Sequence, residues 1–146
     1  EDLRPKILII DDSEMNRAIL REVLGEEFAV LEAANGEEGL EYLEEHEEDI
    51  SLVLLDIIMP VMDGFEVLRV MSEKNFLDNI PVIMISSEES ETYVKKAYEM
   101  GAMDYINRPF DAQVVYRRVF NTIKLYAKQR RLIALVTDQI KSELKK

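Results

Sequence analysis

The stretch SLVLLDIIMPVMDG, residues 51–64, decides how the rest of the chain is read. Its apolar run, 52–55, stops abruptly at one acid, Asp56. A loop with Pro60 follows, and Asp63-Gly64 opens the helical pattern FEVLRVM. A short apolar run bounded by turn signals suits a strand covered on both faces. Such a strand carries its acid to the sheet's carboxyl edge, where open α/β sheets gather their chemistry. An acid after a strand also serves as a plain loop cap. Asp56 therefore gains meaning only from what the other strand ends bring.

Toward the N-terminus, KILII at 6–10 reads as a first strand and ends in Asp11-Asp12. Ser13 can cap a helix with the stripe Ile19, Leu20, Val23 and Leu24, stopped by Gly25. Residues 28–31 read as a second strand. Asn35 and Glu38 have capping-box spacing and open a helix with Leu40 and Leu43 inward. The Glu-rich tract 37–48 is its solvated face.

Toward the C-terminus, Asp63 and Glu66 have the same capping spacing, so a helix starts at Gly64. IPVIMI at 80–85 is a fourth strand, with Pro81 near its start, and it ends in Ser86-Ser87. Residues 88–100 form a helix with a thin stripe (Val94, Ala97, Tyr98), and such sparse burial marks a movable element. Residues 104–106 form a short fifth strand, followed by Asn107-Arg108-Pro109-Phe110. Five strand–helix alternations imply an α/β fold with a doubly wound, five-stranded parallel sheet and right-handed crossovers.

The chain has 146 residues, enough for one domain with a sizeable core. It has no cysteine, which excludes disulfides and thiolate metal sites and fits a reduced, cytoplasmic setting. The single histidine, His46, lies in the acidic tract, so histidine triads and zinc sites are excluded. No apolar run reaches the length of a membrane span and no signal-peptide pattern opens the chain, so no membrane partner is expected. The net charge is −12, unevenly spread: residues 1–110 hold 27 of the 30 acids, while 111–146 hold 9 of the 18 bases. An acidic body repels nucleic acid, and the basic tail is explained by a solvated helix face.

The ends of strands one, three, four and five offer Asp11 and Asp12, Asp56, Ser86, and Arg108. Three adjacent carboxylates raise one another's pKa values. A hard divalent cation such as Mg²⁺ relieves that repulsion and keeps waters that a phosphoryl group can replace. Ser86 adds a hydroxyl and Arg108 a positive fork. A carboxylate such as Asp56 can accept phosphate as an acyl phosphate. Each piece alone is a common cap or turn; their order at four strand ends is specific.

These residues resemble the receiver domains of two-component response regulators. The matching segments are ILIIDDSEMNR at 7–17, LVLLDIIMPVMDGFEVL at 52–68, PVIMISS at 81–87 and GAMDYINRPF at 101–110. The resemblance implies a flavodoxin-like sheet with strand order 2-1-3-4-5. It implies that Asp56 takes a phosphoryl group from the phosphohistidine of a sensor histidine kinase. Asp11 and Asp12 would position Mg²⁺, with Asp56 and the backbone carbonyl of Ile58 as further ligands. Ser86 would be the switch hydroxyl, and Tyr105 the aromatic whose rotamer tracks its movement. The module would not be an enzyme beyond Mg-dependent self-phosphotransfer and slow self-dephosphorylation.

Two positions depart from the pattern. Arg108 stands where the family usually has lysine. It keeps the charge but not the shape, and either serves the phosphoryl group or points out of the pocket. The Arg108–Pro109 bond is cis if the resemblance extends that far. Ile58 cannot orient a water, which points to phosphate that is held rather than hastened to hydrolyse. An aspartyl phosphatase would need a second acid at 58, and a dinucleotide-binding domain would need a glycine fingerprint after the first strand. A pseudo-receiver, no longer phosphorylated, draws support only from Arg108.

Residues 111–146 contain no glycine or proline. A continuous helix would span roughly 54 Å at 1.5 Å per residue. Val119, Ile123, Tyr126, Arg130, Ile133, Thr137, Ile140 and Leu144 recur at heptad spacing, with polar breaks at 130 and 137. The resulting division is a frayed lead-in (1–5), a receiver domain (6–126) and a helical extension or coiled-coil linker (127–146). The extension would pair in a homodimer and lead to an output domain absent from this chain. The RPF start and the QRRLIALV run look like regulators that carry cyclic-dinucleotide enzymes. The alternative is a helix that frays after about Arg130.

Overall fold

In the computed structural model, which describes residues 2–145, each of the five strands is followed by a helix. Glu1, the first residue of the expected lead-in, and Lys146, the last of the expected helix, lie outside the described residues. The strands are β1 (Lys6–Ile10), β2 (Ala29–Ala33), β3 (Ile50–Leu55), β4 (Val82–Ser86) and β5 (Asp104–Asn107). The helices are α1 (Glu14–Leu24), α2 (Gly36–His46), α3 (Gly64–Glu73), α4 (Glu91–Glu99) and α5 (Ala112–Leu144). All pairings are parallel and the order is β2-β1-β3-β4-β5, as expected.

Side chains alternate along each strand, so the central strands feed two cores. Leu8, Ile10, Val53, Leu55, Val82 and Met84 belong to one, with α2, α3 and α4. Ile7, Ile9, Leu52, Leu54, Ile83 and Ile85 belong to the other, with α1 and α5. Burial on both faces explains why these strands read as unbroken apolar runs.

The caps hold where the sequence puts them. Ser13, Asn35 and Asp63 accept from the backbone N–H three residues on. Some boundaries move for local reasons. The fourth strand begins at Val82, because Pro81 has no N–H to give; its carbonyl still accepts from Val53 N at 3.0 Å. The fourth helix begins at Glu91, because Ser90 is its N-cap. Only Ala97 of α4 is buried. The last helix runs unbroken through Leu144, so it does not fray at Arg130.

Residues ahead of β1 are tied to the body. Arg4 Nη1 donates to the Glu26 carbonyl at 3.1 Å, and the Pro5 carbonyl accepts from Ala29 N at 2.9 Å. No described helix is long and apolar enough to cross a membrane.

Candidate functional site

The acids sit one residue past their strands, where the ladder continues for one more bond. Asp56 N–H donates to the Ile10 carbonyl at 2.9 Å, and Asp11 N–H to the Ala33 carbonyl at 3.1 Å. Arg108 N–H donates to the Ser86 carbonyl at 2.9 Å across the next pair. Backbone pairing therefore sets the site before any side chain is placed.

Asp11, Asp12 and Asp56 each offer a carboxylate oxygen, and these oxygens lie within 4.8 Å of one another. Asp11 is 1% exposed and Asp56 7%, while Asp12 faces solvent. Arg108 turns inward: Nη2 is 2.6 Å from Asp11 Oδ2 and Nη1 3.5 Å from Asp56 Oδ1. The Arg108–Pro109 peptide is cis.

Burial pushes the Asp56 carboxyl up to about 6. The negative charge of Asp11 adds to this, while Arg108 and the Ile58 backbone N–H oppose it. A second cation beside the three acids would draw the Asp56 value back down. The donor set, all carboxylate oxygen at an open edge, suits a hard divalent ion.

Ser86 is fully buried, and its Oγ accepts the Glu88 N–H at 3.1 Å. Tyr105 points inward, with its hydroxyl donating to the Glu88 carbonyl at 2.7 Å. Burial raises the Tyr105 phenol, and the Ser86 hydroxyl partly offsets it. The Ile58 side chain is 54% exposed and makes no polar contribution.

Two supports escaped the sequence reading. Arg17 Nη1 donates to the Asp11 carbonyl at 2.7 Å, and its Nε pairs with Glu32 at 3.1 Å. Arg21 pairs with the same Glu32. The signal was there: Arg17 and Arg21 stand four residues apart on α1 and meet Glu32, the one acid in β2. The other support is Gly64. A Cβ there would lie 2.4 Å from the Asp56 carbonyl oxygen and 2.8 Å from Ile57 Cα. The loop after Asp56 folds back so closely that only glycine fits.

The comparisons agree with this geometry. The response regulator receiver domain family matches residues 7–120. The chemotaxis protein CheY of Halobacterium salinarum is 42% identical over 106 residues, covering 72% of this chain and 85% of that protein. A protein of Vibrio cholerae named "Probable cyclic di-GMP phosphodiesterase" is 34% identical over 113 residues, covering 77% of this chain but only 25% of that protein. Among solved structures, a chain of the CheX–CheY–BeF3–Mg²⁺ complex from Borrelia burgdorferi is 36% identical, with a TM-score of 0.73 and coverage of 80% and 87%. With its sheet order and its acid cluster at the carboxyl edge, this chain belongs to the response regulator receiver domain family.

Proposed function

We propose that this chain is a phosphoacceptor module in a two-component phosphorelay, with Asp56 as the acceptor. An Asp56 oxygen attacks the phosphorus of a sensor kinase's phosphohistidine. The P–N bond breaks, and the imidazole leaves with the bonding pair. The observation that carries this reading is the cluster of Asp11, Asp12 and Asp56 with Arg108 laid across it.

Asp11, Asp12, Asp56 and the Ile58 carbonyl would hold Mg²⁺, which neutralises phosphoryl oxygens as charge shifts during transfer. The Borrelia complex, whose description joins CheY with BeF3 and Mg²⁺, supports Mg²⁺ as the ion by relation. Arg108 supplies a second, fixed positive charge at the same pocket. Ser86 is the hydroxyl that moves toward a phosphoryl oxygen on Asp56, and Tyr105 reports that movement. Ile58 offers no water-orienting group, so the phosphate is held.

The signal leaves through α4 and α5. The exposed stripe of the α5 extension pairs with a second copy and joins an output domain outside this chain. The Vibrio relative supports a cyclic-dinucleotide enzyme as that domain. The module works in the cytoplasm.

The test is incubation with Mg²⁺ and acetyl phosphate, followed by intact mass. A phosphate-sized gain in the wild type that is absent in Asp56→Asn is expected. No gain with acetyl phosphate or a kinase phosphodonor would favour a pseudo-receiver that serves only as an interaction module.

A further inference from the structure

Strand β5 alternates its side chains, so Tyr105 and Asn107 leave one face while Ile106 leaves the other. Ile106 enters the core beneath α1 and α5. Tyr105 and Asn107 both reach the loop before α4, and both end on one acceptor. The Glu88 carbonyl takes the Tyr105 hydroxyl at 2.7 Å and Asn107 Nδ2 at 3.1 Å. A carbonyl has two lone pairs, so both donors fit.

The rest of Glu88 faces elsewhere. Its N–H donates to Ser86 Oγ at 3.1 Å. Its carboxylate accepts from Ser90 N at 3.1 Å, and Ser90 caps α4. One residue thus joins the buried hydroxyl, the start of α4 and the end of β5. Asn107 is also the ladder partner of Ser86 and the residue before Arg108.

Resting on the reading of Asp56 as phosphoacceptor and Ser86 as its switch hydroxyl, we propose that Asn107 is a positioning residue. With Tyr105 it forms a two-donor latch on the Glu88 carbonyl, which holds the β4–α4 loop against β5. Movement of Ser86 Oγ toward Asp56 pulls on the Glu88 N–H, while the two donors hold the same residue from its carbonyl. With Tyr105 alone, the loop would be released whenever the ring swung out. Asn107 keeps the loop seated through such a swing, so loop position and ring rotamer separate.

The test is amide hydrogen exchange by NMR at Glu88 and Ser90 in the full chain. Asn107→Val and Asn107→Asp both remove the donor, and Asn107→Asp keeps the shape. Each is expected to speed exchange at these two amides about five-fold, the effect of one lost hydrogen bond. Asn107→Gln, which retains an amide donor, should recover part of the protection. Tyr105→Phe combined with Asn107→Val should exceed the product of the single effects, since only the pair empties the carbonyl. Wild-type exchange in both Asn107→Val and Asn107→Asp would overturn the latch. So would equal acceleration across the whole protein, which marks general destabilisation. The same samples are treated with Mg²⁺ and acetyl phosphate and weighed. Wild type that takes no phosphate would overturn the phosphoacceptor reading, while exchange still decides the latch.

Discussion

Asp56 sits where burial and Asp11 both oppose its ionisation, which lifts its carboxyl from 3.8 to about 6. The folded protein therefore holds this proton more tightly than the unfolded chain. Asp56 stabilises the fold below its ordinary value, and that contribution is lost as pH rises through about 6. Above that, the buried charge costs the fold on the order of a few kcal/mol at most, less where solvent screens it. Asp56→Asn should melt several degrees above wild type at pH 8, with the gain fading toward pH 4. A gain that ignores pH would contradict this assignment. Arg108 already neutralises Asp11, so it competes with any cation there. Arg108→Ala should tighten Mg²⁺ binding about tenfold by calorimetric titration, because a like charge is removed from a low-dielectric pocket. Ile58→Asn introduces a side chain able to orient water. It should hasten loss of the Asp56 phosphate several-fold in a timed mass measurement, and an unchanged rate would refute the held-phosphate reading.

The loop between β3 and α3 is the element that shapes the pocket, and it is strained. Val61 has φ 69° and is 93% exposed. A β-branched residue in the left-handed region costs about 1–2 kcal/mol, and here burial returns nothing. Val61→Asn should stabilise the protein by about 1 kcal/mol, seen as a higher urea midpoint at unchanged slope. The elements differ in how far the sequence exposes them. The helix starts are written as local chemistry, in Ser13, Asn35 and Asp63, because a cap bonds only three residues away. The strand limits depend on neighbours. β3 begins at Ile50 and β2 runs on to Ala33, where β1 supplies partners beyond the apolar runs.

At the scale of the whole molecule, α5 belongs to two environments. Val115 and Val119 are fully buried, and Ile123 packs against the same core. Past Tyr126 every described residue is exposed, including Leu132, Ile133, Val136, Ile140 and Leu144. Along the heptad stripe the first turns have the sheet as partner, as expected, and the later ones have none among the described residues. What remains is an apolar stripe on a helix with no body to cover, and isolated helices are marginal in water. A chain ending at Tyr126 should stay folded and monomeric. The full chain should gain mass with concentration in light scattering, and more so with a phosphoryl mimic. Monomer under every condition would remove the dimer.

The α/β alternation, the sheet's residents and the acids at its carboxyl edge are all legible in the order of the amino acids. Apolar runs, caps and turn residues are local signals, and they agree from one end of the chain to the other. That Arg108 lies on Asp11 rather than in solvent emerges from the folded arrangement alone. The same arrangement shows that Arg17 clasps the Asp11 carbonyl, that Gly64 leaves no room for a Cβ beside Asp56, and that Tyr105 and Asn107 share the Glu88 carbonyl. Those contacts join residues far apart in the chain, and side-chain reach across a sheet edge has no local signature. The strand ends name the chemistry, and the packing around them sets which charge meets which.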